Sequence, residues 1–186
     1  SLFATGLSGI GSFPNPIGSV TDLISITDSP YWYAYGRGRS QKEFGLEAAA
    51  ALEQKILDVG AENIAAFIGE PIQATCNVII PPMSYWSEVR RICDQYDILL
   101  IADEVVTGLG KTGYMFGFQA FDFEPDLFVM AKGLSSGYFP VSSVAIGEKV
   151  SEVLQASDEP FPHGYTNCGH PVGSAVVLEN IAVIED

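Results

Sequence analysis

The sequence has 186 residues, of which 47% are hydrophobic and 17% are charged, and its formal net charge is −14 at pH 7. A chain of this length forms one ordinary domain that buries roughly 70% of its extended-chain surface, so the composition argues against a disordered protein. An acidic surface repels phosphate backbones and anionic lipids, and we therefore expect neither a nucleic-acid partner nor a membrane partner.

The first 40 residues are rich in turn signals, including PNPIG and DSPYW. A helix is predicted to follow, because Ser40 and Glu43 have the spacing of a capping box and Gly60 is a helix terminator. The helical period predicts one buried face on this helix, formed by Leu46, Ala49, Ala50, Ile56 and Leu57.

Four short apolar runs then have the pattern of buried strands, at 64–72, 98–106, 126–133 and 141–148. A helix is predicted from Ser84 to about Tyr96, and another from about Pro171 onward. This alternation predicts an α/β fold with a mainly parallel sheet and helices on both faces. In such folds, functional residues collect at the carboxyl ends of the strands.

Charged residues stand at three of those strand ends. Glu70 lies near the end of the first predicted strand, Asp103 and Glu104 lie at the end of the second, and Lys132 lies at the end of the third. We therefore expect these side chains to meet at one edge of the sheet.

The stretch LLIADEVVTGLGKTG resembles a nucleotide triphosphatase at first sight, because it joins two carboxylates to Gly110-Lys111-Thr112. A phosphate-binding P-loop has the pattern Gly-x-x-x-x-Gly-Lys-[Ser/Thr]. If Gly110 were its second glycine, the first glycine would stand at position 105, which is Val105. The acidic strand also precedes the glycine loop directly, with no helix between them. The spacing and the order both fail, so Lys111 is interpreted as a surface lysine.

A lysine such as Lys132, among apolar and small residues, loses hydration, and its neutral amine can attack carbonyl compounds. The alternative is a strand-end lysine that extends into solvent. Pyridoxal phosphate (PLP) uses this kind of amine together with a carboxylate beside its ring nitrogen, which is the role that Asp103 suits. The pair Asp103 and Lys132 therefore favours PLP chemistry.

At these residues the sequence resembles the class III, fold-type I aminotransferases. The shared order is Asp-Glu-Val, Gly-Lys-Thr-Gly, Pro-Asp-Leu and Ala-Lys-Gly-Leu, and Lys132 follows Asp103 by 29 residues. The flanking segments GEPIQ, IPP and HGYTNCGHPV agree as well. The resemblance extends from about residue 30 to the end and is strongest for the amine:pyruvate, or ω-transaminase, branch.

The resemblance implies a role for individual residues. Lys132 would form the Schiff base with PLP and then act as the general base, while Asp103 would pair with the pyridine nitrogen. Val105 would pack on one ring face. Thr166 would reach the cofactor phosphate of the neighbouring subunit in a homodimer, with Tyr165 near the same entrance.

Supporting roles are expected for five further residues. Glu70 and Gln73 would brace the cofactor site, and Glu104 would have a structural hydrogen-bonding role. The two histidines, His163 and His170, are interpreted as loop-shaping residues, and their lack of companions at ligand spacing argues against a metal site.

Two departures separate this sequence from the ornithine and γ-aminobutyrate branch, because Thr75 and Val106 replace a glutamate and a glutamine of that branch. In addition, Cys76-Asn77 replaces a common Gly-Gly. The first two favour an amine:pyruvate enzyme. The reaction implied is transfer of an amino group from an amine or ω-amino compound to a keto acid such as pyruvate.

The resemblance also implies that residues 1–186 are a central part of the PLP-binding large domain. The upstream phosphate loop would precede Ser1, and the small domain with the substrate-carboxylate arginine would follow Asp186. The arginines present are not at the family position for that role: Arg37, Arg39, Arg90 and Arg91. We expect the isolated chain to be inactive.

The three cysteines, Cys76, Cys93 and Cys168, form no CxxC pair, and reduced thiols in a cytoplasmic protein are the simplest interpretation. Two alternatives to the transaminase remain at this point. One is a PLP-dependent aminomutase or decarboxylase on the same fold. The other is a non-catalytic scaffold, which would have no use for a desolvated lysine beside a carboxylate.

Overall fold

The structure, a computed structural model, describes residues 2–9, 21–75 and 77–186. The predicted turn at PNPIG and Cys76 lie outside the described residues. The helices of the described part are α1 (Leu2–Leu7), α2 (Trp32–Tyr35), α3 (Gln41–Val59), α4 (Met83–Gln95), α5 (Gly117–Ala120), α6 (Glu148–Ala156) and α7 (Pro171–Glu185). The strands are β1 (Ala66–Gly69), β2 (Leu99–Asp103), β3 (Leu127–Met130) and β4 (Ser143–Ile146).

The four strands form one sheet in the order β1-β2-β3-β4. The pairs β1–β2 and β2–β3 are parallel, whereas β3–β4 is antiparallel. The predicted α/β fold with a mostly parallel sheet is therefore confirmed, with an antiparallel strand at one edge. The helices predicted at 40–60, 84–96 and from 171 are α3, α4 and α7.

The predicted capping box starts α3. Ser40 Oγ accepts a hydrogen bond from the Glu43 backbone N–H at 3.2 Å, and Glu43 Oε2 accepts one from the Ser40 N–H at 2.9 Å. Gly60 follows the last residue of α3 with φ +87°, a conformation that suits glycine. Both ends of this helix were predictable from local sequence.

The predicted buried face of α3 was partly wrong. Ala49 and Ile56 are buried, but Leu46 and Leu57 are 41% and 56% exposed, and Ala50 is exposed as well. The stripe that faces α4 consists of Gly45, Ala49, Leu52 and Ile56. Apolar residues occur on several faces of α3, so periodicity alone does not identify the buried face. Packing against the start of α4 determines it, because a Cβ on Gly45 would lie 2.9 Å from Pro82 Cβ.

The core lies between α3, α4 and one face of the sheet. Leu100 and Ala102 are fully buried on that face, and the Trp86 ring stacks on Phe123 with centroids 4.5 Å apart. Trp86 also explains Gly69, because a Cβ there would lie 2.9 Å from Cη2 of the indole ring. Such close packing fixes the end of β1 against α4.

The opposite face of the sheet is more open. Ile101 and Asp103 alternate with the buried residues of β2 and are half-buried. Val144 and Ile146 on β4 share this face through their register with β3 and are 55% and 44% exposed. Asp103 therefore lies on the accessible side of the sheet, where a ligand can reach it.

Asp126 fixes the register between the strands. Its Oδ2 accepts hydrogen bonds from the Leu100 N–H at 2.7 Å and from Arg90 Nη1 at 2.8 Å. Its own N–H donates to the Leu100 carbonyl, and its carbonyl accepts from the Gly147 N–H. The side chain and backbone of this one half-buried residue thus tie α4, β2 and the ends of β3 and β4 together.

Candidate active site

The carboxyl ends of three strands meet at one edge of the sheet. Ala102 pairs with Gly69 on β1, so Glu70 is level with Asp103. Asp103 itself pairs with Val129 on β3, three residues before Lys132. The register of the parallel strands therefore places Glu70, Asp103 and Lys132 at the same edge, as the sequence predicts.

The charges of Asp103 and Lys132 both influence the carboxyl group of Glu70. Burial is the largest influence on Glu70 and raises the pKa of its carboxyl group above the ordinary value of 4.5. A hydrogen bond from the Ala74 N–H to Glu70 Oε2, at 3.2 Å, lowers this pKa. The charge of Asp103 raises it further and the charge of Lys132 lowers it. Both groups therefore act on the same carboxyl.

Asp103 is oriented by its own turn. The Val105 backbone N–H donates a hydrogen bond to Asp103 Oδ1 at 3.0 Å. The carboxylate is half-buried rather than enclosed, and its other oxygen can accept a hydrogen bond from a ligand. The Val105 side chain, two residues on, is also half-buried.

Lys132 begins a short 3-10 helix, Lys132–Ser135, directly after β3. Its φ is +43°, a left-handed conformation that residues other than glycine adopt at an energetic cost. Unfavourable backbone conformations of this kind cluster at functional sites. The expected desolvation of Lys132 was wrong for this chain, because the Lys132 side chain is exposed.

Glu104 has the structural role that the sequence predicts. Its side chain is 1% exposed and accepts hydrogen bonds from Thr107 Oγ1 at 2.6 Å and from the N–H groups of Gly117 and Phe118, each at 2.8 Å. A buried carboxylate with three donors is stably held. Glu104 thereby closes the glycine-rich loop that follows β2, and Lys111 in that loop is exposed.

Gln73 lies in the loop after β1. Its N–H and carbonyl each form a 3.0 Å hydrogen bond with Ile79, and its Oε1 accepts one from Ser29 Oγ at 2.6 Å. These bonds tie the loop that begins at Glu70 to the segment before α2. Gln73 therefore connects the loop after β1 to neighbouring segments.

The HGYTN segment lies on the surface before α7. Thr166 is exposed, and Tyr165 is 74% exposed. His163 packs edge-on against Tyr165, and His170 Nδ1 accepts a hydrogen bond from the Gly173 N–H at the start of α7. The histidines shape this segment, as predicted.

Sequence reasoning missed Asn180. This residue of α7 hydrogen-bonds the turn that follows Lys132. The one available signal is that Asn180 is the single side-chain amide of a mainly apolar helix, and this does not identify its partner. The described residues contain no cluster of three His, Cys, Asp or Glu side chains placed to hold a metal ion. Across the same described part of the chain, no helix is both long and apolar enough to span a membrane.

Comparisons with known proteins agree with this geometry. The family model "Aminotransferase class-III" matches residues 17–186. The chain belongs to the class III aminotransferase family. A putrescine–pyruvate aminotransferase of Pseudomonas aeruginosa is 49% identical over 95% of the chain and 37% of its own length. A diaminobutyrate–2-oxoglutarate transaminase of Halomonas elongata is 43% identical over 96% of the chain and 39% of its own length.

Solved structures of class III relatives share the fold. An (S)-enantioselective ω-transaminase from Thermomicrobium roseum matches with a TM-score of 0.85 and 39% identity, over 97% of this chain and 41% of that one. An ω-transaminase from Pseudomonas jessenii, solved in complex with PMP, matches with a TM-score of 0.77 and 45% identity, over 86% of this chain and 36% of that one. The fold is thus that of the fold-type I transaminases. The chain spans about two fifths of the length of these relatives.

The residues at the strand ends fit PLP, the cofactor of class III aminotransferases. Lys132 offers an exposed primary amine, and Asp103 offers an oriented carboxylate on the accessible face of the sheet. The charges of both groups influence Glu70, and the strand register places all three at the same edge of the sheet. An amine and a carboxylate placed in this way match the aldehyde and the ring nitrogen of the cofactor.

The raised pKa of Glu70 predicts a pH-dependent stability. Between pH 4.5 and the higher folded-state pKa, the folded protein keeps a proton on Glu70 that the unfolded chain has released, so stability falls as pH rises through this window. Glu70→Gln cannot titrate and should not show this fall. The difference in thermal unfolding midpoint, Glu70→Gln minus wild type, should therefore grow from pH 4 to pH 7 in the cofactor-free full-length protein.

Glu152→Gln, at an exposed position on α6, is the control and should give a difference that stays constant with pH. A constant difference for Glu70→Gln as well would contradict the assigned environment of Glu70.

Proposed function

We propose that the protein containing this chain transfers an amino group from an amine or ω-amino compound to a keto acid such as pyruvate, using PLP. The observation that carries the proposal is the strand register, which places Asp103, Lys132 and Glu70 at the carboxyl ends of β2, β3 and β1, at one edge of the sheet. The similarity to a putrescine–pyruvate aminotransferase supports an amine donor and pyruvate as acceptor. Thr75 and Val106 support the same branch.

PLP supplies, when bound, an electron sink that stabilises negative charge at the carbon from which a proton leaves. Asp103 would accept the hydrogen bond of the protonated ring nitrogen and so keep that proton in place. Lys132 Nζ would hold the cofactor covalently and, once released by the incoming amine, would carry the proton between the substrate carbon and the cofactor C4′. Val105 would pack on the ring, with Glu70 and Gln73 holding the loop behind it.

The exposure of Lys132 indicates what the rest of the protein would contribute. General-base catalysis by an amine is efficient when water is excluded around it. We propose that this chain is the central part of the PLP-binding large domain and that the other parts of the protein, together with the cofactor, enclose Lys132. The length of the relatives, of which the chain spans 37% and 39%, supports this division.

We place the protein in the cytoplasm. Cys93 and Cys168 are free thiols, and Cys168 is exposed, which suits a reducing compartment. Burial raises the pKa of Cys93 to about 11, so this thiol stays protonated and unreactive at neutral pH. Recovery of the protein from an oxidising compartment would contradict the assignment.

Lys132→Ala tests the chemistry. In the full-length protein, borohydride should fix the cofactor on Lys132, and Lys132→Ala should abolish this labelling and lower turnover roughly 10²- to 10⁴-fold, the usual contribution of a general base. The measurements are peptide mapping and steady-state kinetics.

Lys111→Ala is the matched control, because Lys111 is an exposed lysine in the glycine-rich loop. It should keep both labelling and turnover. Labelling at another lysine, or turnover retained in Lys132→Ala, would contradict the proposed function.

A homodimer is proposed in which Thr166 binds the cofactor phosphate of the neighbouring subunit. Thr166 and Tyr165 are exposed in this chain and thus accessible to a second subunit, which supports the assignment. Loss of one hydrogen bond to a charged phosphate costs about 1.5–3 kcal/mol. Thr166→Ala should therefore raise the Kd for PLP roughly 10- to 100-fold in the full-length protein, measured by cofactor titration.

Thr27→Ala, which removes a hydroxyl before α2, should leave the Kd for PLP unchanged. An active monomer in analytical ultracentrifugation, or a Thr166→Ala variant with wild-type affinity, would contradict this part of the proposal.

A further inference from the structure

The turn that follows Lys132 has an unusual backbone. Lys132 and Ser136 have φ values of +43° and +49°, and Gly137 has φ +81°. The 3-10 helix between them is held by hydrogen bonds from the Leu134 N–H to the Ala131 carbonyl and from the Ser136 N–H to the Gly133 carbonyl. Two non-glycine residues in left-handed conformations do not persist unless other contacts hold them.

Asn180 on α7 provides such contacts. Its Nδ2 donates to the Gly133 carbonyl at 2.9 Å and to the Leu134 carbonyl at 3.1 Å, and its Oδ1 accepts from Ser136 Oγ at 2.6 Å. One side chain 44 to 47 residues away in sequence thus binds three of the four positions from 133 to 136.

The chemistry of the partners fixes the orientation of the Asn180 amide. Carbonyl oxygens only accept, so the NH₂ group must face Gly133 and Leu134, and both of its hydrogens can be used there. The Ser136 hydroxyl can donate to the amide oxygen. A flipped amide would place its oxygen against two carbonyls, so the three contacts are consistent in one orientation only.

Apolar packing sets α7 against the same segment. Gly173 lies so close to Phe139 that a Cβ there would be 2.8 Å from Cε1 of the ring, and the His170 ring lies 5.2 Å from the Phe139 ring. Asn180 is nearly two helical turns further along α7. The helix therefore meets the turn at two separate points, one apolar and one polar.

We propose that Asn180 is a positioning residue: by binding the Gly133 and Leu134 carbonyls and Ser136, it holds the left-handed turn that aims the Lys132 amine at the cofactor. This inference rests on the proposed function in that Lys132 is taken as the cofactor lysine. Asn180 acts through the turn, whose exact placement sets the distance over which Lys132 must move a proton.

Asn180→Asp tests the inference in the full-length enzyme, because the carboxylate keeps the size of the amide but turns an acceptor toward the two carbonyls. We expect kcat to fall roughly 10- to 100-fold with KM changed less than about twofold. We also expect the pH midpoint of the absorbance change of the lysine-bound cofactor to move by about 0.5 unit or more. Backbone amide exchange at Leu134, Ser136 and Tyr138 should accelerate about tenfold in the cofactor-free protein.

Asn63→Asp is the matched control, since Asn63 Nδ2 donates to the Val59 carbonyl at the end of α3 in a similar contact. It should change none of the three readouts. Ser136→Ala keeps the proposal testable if Asn180→Asp does not fold, and it should move the pH midpoint and accelerate the amide exchange by smaller amounts.

Unchanged amide exchange and an unchanged pH midpoint in Asn180→Asp, or in Ser136→Ala where the first variant does not fold, would overturn the inference. The exchange measurement does not depend on the cofactor. It therefore separates failure of this inference from failure of the proposed function, which would appear as borohydride labelling away from Lys132.

Discussion

The register of β2 against β3 is the constraint on which the site depends. Side chains alternate between the two faces of a sheet, so a slip of one residue would move Asp103 to the buried face, away from Lys132. Asp126 opposes this slip through its bonds to Leu100 and Arg90. By holding this register, the Asp126 carboxylate keeps Asp103 on the accessible face of the sheet.

Asp103 and Glu104 are neighbours in sequence but have opposite environments. Asp103 lies on the accessible face with one hydrogen bond from its own turn, whereas Glu104 is buried and accepts three. The alternation of the strand separates them. This separation explains why the Asp-Glu pair beside a glycine loop resembles an ATPase in sequence only: one acid is available for a ligand and the other closes the loop that contains Lys111.

The features that local sequence determines were predicted well. The capping box of Ser40 and Glu43, the glycine that ends α3, and the strands that end at Asp103 and before Lys132 all follow from short-range patterns. The buried face of α3 did not follow, because its apolar residues occur all round the helix and contact with α4 selects among them. The exposure of Lys132 and the contacts of Asn180 depend on parts of the chain far apart in sequence, which single-sequence patterns do not encode.

A crystal structure of the full-length protein with PLP tests the central claim most directly. The account predicts the cofactor ring between the two strand ends, with its nitrogen about 2.7–2.9 Å from an Asp103 carboxylate oxygen and its C4′ bonded to Lys132 Nζ. A ring nitrogen that faces another residue, or a cofactor bonded to another lysine, would contradict it.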